Sequence, residues 1–383
     1  MALSLLLLVG IGVAVFVGFN VGGSSTGVAF GPAVGSGVVS KFWAAALMTG
    51  FALLGGATVG RAVIDTMGGE IVPSALFTVA TSVVVLFFIG LALLISNTFG
   101  VPASTSMTAV GAIAGLGFAR GNIDMAVLGG IVVWWLVAPV LAFWVCAVIG
   151  RYLYPTLVRH FEVDRSDGPL LAVDRVGPLP IVRPAPDTSA GELVGTALVV
   201  VIGCYMAFSA GASNVANAVA PLVGSGQLSP DAGILVAGVA IGVGAFTIAR
   251  RTLDTVGNDL TDLPLLAALI VEVVSATLIT FLSSIGVPAS LAVSATMCIV
   301  GLGWGRATTA VSVGEVLGGE QSLSVDALAA DQDDLDAGDE TALSANDLFD
   351  PAATARVVVL WLLTPMLSGV ASFLVFRFVP LGL

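Results

Sequence analysis

Ten apolar runs, each close to the length of a membrane crossing, decide what this chain can fold into. They lie near residues 2–19, 42–60, 71–96, 107–119 and 125–149, then near 193–209, 232–249, 265–282, 291–305 and 353–378. A helix needs about 20 apolar residues to cross a bilayer core. Inside that core each backbone N–H and C=O must be satisfied within the protein, which favours helices. Only 10% of the residues are charged and 57% are hydrophobic. A soluble chain carries roughly 25% charged residues to keep its surface wet. The expectation is therefore an all-α polytopic membrane protein, multi-pass in the cytoplasmic membrane. The first run lacks the basic flank and cleavage site of a secretory leader, so it is read as a membrane helix.

The chain repeats itself. Residues 22–37 read GGSSTGVAFGPAVGSG and residues 211–226 read GASNVANAVAPLVGSG, with eight of sixteen positions identical. Residues 101–120 read VPASTSMTAVGAIAGLGFAR and residues 287–306 read VPASLAVSATMCIVGLGWGR, with ten of twenty identical. A third match joins Arg61, Asp65, Thr66 and Gly68 to Arg250, Asp254, Thr255 and Gly257. The offsets are 189, 189 and 186 in chain order, so the two halves are copies of one unit. The halves are residues 1–150 and 193–383, each with about five transmembrane segments. An odd number of crossings turns the second copy over, which predicts two inverted repeats with broken helices or re-entrant hairpins at the centre.

Residues 151–192 form a polar linker. Its Arg151, Arg159, Arg165, Arg175 and Arg183 place it in the cytoplasm by the positive-inside rule. The net charge of −12 is local, because residues 307–355 hold eleven acids and no Lys or Arg. That composition predicts a disordered acidic loop over 313–352 within the second half. One Lys against twelve Arg, with acidic loops, points to a protein exposed to high salt. Cys146, Cys204 and Cys298 fall in apolar runs and read as buried small residues. The single His160 lies in the linker. Metal chemistry and His-based catalysis lack raw material, and an enzyme is not expected. Nor is a nucleic-acid partner.

Transporter sites form where membrane helices are interrupted at matching places in two halves. The stretch from Asn20 to Gly27, with Ser24, Ser25 and Thr26, and its mate with Ser213, Asn214 and Asn217 read as two such breaks. Pro102 before Ser104, Thr105 and Ser106, and Pro288 before Ser290, add two more. Proline suits the first turn of a helix. A helix start aimed inward offers free N–H groups and partial positive charge, which suits an anion. Hydroxyls and amides add donors without a buried cation. The matching ligand is a tetrahedral oxyanion. Ionisable groups in the membrane are functional candidates. Glu272 is the clearest and is read as the coupling-ion residue, together with Asn20. Asp65 and Asp254 read as structural partners of Arg61 and Arg250, and Glu70 and Asp259 as loop acids.

At these residues the chain resembles the inorganic phosphate transporter (PiT) family. That family repeats a signature close to GANDVANAxGTAVGSG once in each half, and a second motif near PVSTTH. The resemblance implies a phosphate site between the halves, uptake coupled to Na+ or H+, and a homodimer. Ser25 and Asn214 stand at the two signature Asp positions. Ser24 and Ser213 stand at the first Asn, Val28 and Asn217 at the second. Ser104, Thr105 and Ser106 match the hydroxyl run, whose mate keeps only Ser290 before Leu291 and Ala292. With both acids replaced, sulfate or another oxyanion rivals phosphate, because a dianion has no proton to give an Asp acceptor. The expected function is secondary active transport of inorganic phosphate by alternating access, cation-coupled. No cofactor is expected beyond Na+ as a coupling ion. A sulfate or other oxyanion permease, a passive anion channel and a non-transporting membrane scaffold are the alternatives.

Overall fold

The computed structural model describes residues 4–98, 104–160, 171–176, 179–184, 190–249, 264–308 and 351–379. The first half contributes α1 (Leu5–Gly35), α2 (Lys41–Ala57), α3 (Gly60–Asp65), α4 (Val79–Thr98), α5 (Thr105–Arg120), α6 (Met125–Val148) and α7 (Tyr154–His160). The second contributes α8 (Ala190–Gly224), α9 (Pro230–Thr247), α10 (Leu265–Ser284), α11 (Leu291–Ala307) and α12 (Pro351–Phe378). Each apolar run of the sequence falls on one of these helices. In the linker, β1 (Leu171–Val176) pairs antiparallel with β2 (Leu179–Pro184). The acidic stretch lies outside the described residues, save Pro351 and Ala352, which open α12.

Among the described residues, six helices are long and apolar enough to cross a membrane. These are α1, α4, α8, α9, α10 and the continuous run Met125–Arg159, in which a π-helical turn (Ile149–Leu153) joins α6 to α7. A seventh is α2 with the segment Gly60–Glu70, bent by 66°. The helix around residue 150 therefore runs past the edge of the linker without a break.

The polar motifs do not interrupt α1 or α8, contrary to the expectation of broken helices there. Both helices run through them as single rods of 31 and 35 residues. The reason is local. Ser24 donates to the carbonyls of Asn20 and Val21, and Thr26 donates to Gly22 O at 2.7 Å. Hydroxyls that bond back to the preceding turn are tolerated inside a helix. The glycines pack instead of breaking. A Cβ on Gly22 would overlap the carbonyl oxygen of Ile241 in α9. A Cβ on Gly211 would overlap the carbonyl oxygen of Ala52 in α2. Small residues let membrane helices touch backbone to backbone.

These two contacts correspond under the repeat, and the wider packing follows the same rule. α1 lies on α9 as α8 lies on α2, and α6 lies on α11 as α12 lies on α5. A real interruption comes between α10 and α11, where Gly286 takes φ +75°, residues 287–289 form no regular element and Ser290 is extended as α11 begins.

One expected ion pair is revised. Arg61 pairs with Asp231 at the start of α9, not with Asp65 on its own helix. The bend after α2 turns Arg61 outward along α9, and Asp65 is exposed. Arg250, Asp254 and Asp259 lie outside the described residues. Glu70 accepts from Thr66 at 3.1 Å within a π-helical turn.

Candidate binding cavity between the halves

Two of the sequence's breaks become helix starts that meet. Ser104 caps α5, its Oγ accepting from Met107 N at 3.3 Å. Ser290 caps α11 in the same way through Val293 N, also at 3.3 Å. An N-cap satisfies one donor of the first turn and leaves others without intrahelical acceptors. Here those are the N–H groups of Thr105, Ser106, Leu291 and Ala292. The partial positive charge of both helix ends is aimed at the same place.

Between them lies a buried cavity lined by Ser24, Ser25, Val28, Thr105, Ser106, Asn214, Ser290, Leu291 and Ala292. Its volume is about 40 Å³, against roughly 10–15 Å³ for one water. It admits a few heavy atoms, not an organic substrate. Among the described residues, no Asp, Glu, Lys, Arg or His lines it. α1, α5, α8 and α11 all contribute, so both halves build it.

The lining is arranged to donate. Ser25 and Thr105 make no side-chain hydrogen bond among the described residues, so their hydroxyls are available. The Ser290 hydroxyl accepts from its own helix and keeps its proton for the cavity. Asn214 receives Asn217 Nδ2 on its Oδ1 at 3.1 Å, which leaves its NH2 as the free end. Together with the four N–H groups, the cavity presents donors from several directions. A carboxylate lining would present acceptors only.

Behind the cavity a polar clamp holds the segment before α11. Asn217 donates to Ser106 Oγ at 3.1 Å, and Ser106 donates to Ala289 O at 3.0 Å. Ser213 donates to the same carbonyl at 2.7 Å. From α6, Trp135 Nε1 donates to Pro288 O at 2.9 Å. Buried polar groups need such partners. This network joins three helices to the segment before α11, which is why no single stretch of sequence announces it.

Of the ten residues expected to bind substrate, six line the cavity: Ser24, Ser25, Thr105, Ser106, Asn214 and Ser290. Ser104, Ser213 and Asn217 stand one layer back, as cap and clamp. Thr26 turns to its own helix and is not brought to the cavity. Val28, Leu291 and Ala292 line it without having been read as ligands. The two apolar side chains at the start of α11 hid first-turn N–H groups that lack intrahelical acceptors. Asn20 is buried, its Nδ2 donating to Phe16 O at 2.8 Å and its Oδ1 accepting from Asn97 at 3.2 Å. It lies outside the cavity lining. Glu272 is also away from the lining, 4% exposed on α10, and its Oε1 has no hydrogen-bond partner.

Membrane-length helices packed around a small polar cavity define a multi-pass membrane protein. A family model described as the phosphate transporter family matches residues 21–319. The chain belongs to that family. The sulfate permease CysP of Bacillus subtilis (strain 168) is 29% identical over 294 residues, 76% of this chain and 76% of that one. The sodium-dependent phosphate transporter 2 of Xenopus tropicalis is 27% identical over 179 residues, 41% of this chain and 27% of that one. Among solved structures, one titled "The sodium-dependent phosphate transporter" superposes with a TM-score of 0.70 at 18% identity, covering 99% of this chain and 100% of that chain. The last match establishes a shared fold.

Proposed function

We propose that this chain is a secondary transporter of a tetrahedral oxyanion, with sulfate preferred to phosphate. The observation that carries the reading is a cavity lined, among the described residues, by hydroxyls, an amide and helix starts, with no carboxylate. Sulfate at neutral pH has no proton, so it only accepts. Hydrogen phosphate keeps a proton that calls for an acceptor, and the described lining offers it hydroxyl oxygens but no carboxylate, the stronger acceptor. Likeness to the sulfate permease CysP supports the same preference. A second reading, phosphate as the preferred anion, is favoured by the family model itself. Uptake of radiolabelled sulfate and phosphate into proteoliposomes separates them. We expect sulfate to be taken up about 10-fold more efficiently or better. Equal or reversed preference sinks the sulfate reading, and movement of neither anion sinks the transport reading.

The halves are inverted copies that rock about the cavity, exposing it to each side in turn. No residue is assigned a catalytic role. Coupling rests on two sets of atoms. Glu272 is a buried carboxylate with an oxygen that lacks a partner, suited to carry a proton. Asn217 Oδ1 also lacks a donor. The Asn217 carbonyl loses its helical donor to Pro221, since proline has no N–H. Those two oxygens suit a small cation such as Na+. The Glu272→Gln variant is expected to keep sulfate counterflow within about twofold, while gradient-driven accumulation falls by about 10-fold or more. Accumulation that survives under both proton and sodium gradients removes Glu272 from the coupling.

A further inference from the structure

The end of α6 and α11 remote from the cavity carries a group that the transport reading leaves unused. Arg306, in the last turn of α11, places its guanidinium 4.4 Å over the ring of Tyr154. Its Nη1 is shielded from solvent and, among the described residues, has no hydrogen-bond partner. Arg151 is its neighbour. Its Nη1 donates to Thr308 O at 2.9 Å, two residues beyond Arg306. The backbones bring the two arginines together. A Cβ on Gly305 would overlap Ala147 O and lie 2.9 Å from Arg151 N. Arg151 itself sits in the π-helical turn Ile149–Leu153, a distortion often kept where a site needs it.

A guanidinium stays charged under all ordinary conditions. Shielding one of its nitrogens without an acceptor is expensive. The C-terminal carbonyls of α11 offset part of the charge, but they leave that N–H unsatisfied. The surroundings identify what supplies the acceptor. Tyr152 is 67% exposed and Trp304 57% exposed at this same end. Exposed aromatic rings at helix ends mark the headgroup level of a bilayer. Basic pockets between membrane helices at that level suit phosphate headgroups, and a guanidinium meets a phosphate with two parallel donors.

We propose that Arg306 and Arg151, backed by Tyr154, form a site for the headgroup phosphate of an anionic phospholipid at the α6–α11 end. The lipid joins the two halves there, since α6 belongs to the first and α11 to the second.

The test uses the full chain in nanodiscs of phosphatidylcholine, with or without phosphatidylglycerol. The thermal midpoint is followed, and retained lipid is counted by native mass spectrometry. Phosphatidylglycerol is expected to raise the wild-type midpoint by about 5 °C and to remain bound. The Arg306→Gln variant is expected to lose both effects. Arg306→Lys is expected to keep part of them, as a charge without the fork. Equal midpoints in the two lipids, or equal retention of the neutral one, overturn the proposal without any variant. So does an Arg306→Gln protein that holds phosphatidylglycerol as well as wild type. A free phosphate site is distinguished by adding inorganic phosphate to neutral nanodiscs. If that alone reproduces the shift, the lipid assignment fails.

Discussion

Asn214→Asp is expected to reverse the anion preference. The substitution is close to isosteric, so the cavity keeps its shape. It changes a donating NH2 into a carboxylate that only accepts. Asn214 lines the cavity, and among the described residues no cation lines it to offset the new charge. Two unit charges 4 Å apart at an effective dielectric near 20 repel by about 4 kcal/mol. Sulfate uptake should therefore fall by roughly 100-fold or more. Hydrogen phosphate can donate its proton to the new carboxylate, so its uptake should change far less. Competition of phosphate against labelled sulfate in proteoliposomes reads the outcome. Unchanged sulfate uptake in this variant means that Asn214 does not face the anion.

The second large effect is structural. Replacing Gly22 or Gly211 by alanine puts a methyl group into a backbone carbonyl of the facing helix. No rotamer relieves that overlap, because a Cβ has nowhere to rotate. The helices must separate, and the cavity between α1 and α8 widens with them. Overpacking in tight interiors costs about 1–3 kcal/mol and more against backbone. A midpoint lower by about 10 °C and loss of transport are expected. Gly12→Ala is the control, since nothing lies within 4 Å of a Cβ there. If Gly22→Ala melts like the control, the packing account is wrong.

Much of the fold was legible because one quantity, the length of an apolar run, reports directly on membrane helices. The runs ending at Phe19 and Ser209 stopped too soon for a physical reason. Glycine, serine and asparagine lower the apolar signal whether they break a helix or pack it. Only the facing backbones of α9 and α2 tell which. The starts of α5 and α11 were legible from proline followed by a hydroxyl cap. The donors at Leu291 and Ala292 were not, since a backbone N–H leaves no mark on the side-chain alphabet. The clamp of Asn217, Ser106, Ser213 and Trp135 joins residues far apart in the chain, and pairing of that kind is settled by packing. Arg61 shows the same limit: its partner Asp231 is 170 residues away, while Asp65, four residues on, was the nearer guess.

The absence of charge around the cavity has an electrical consequence. A divalent anion held only by dipoles keeps its full double charge as it moves. A membrane potential of 100 mV, negative inside, then opposes entry by about 4.6 kcal/mol. One accompanying cation halves that load, two remove it, and a third reverses it. The charge moved per anion taken up therefore counts the cations that travel with it, and its sign changes between one and three.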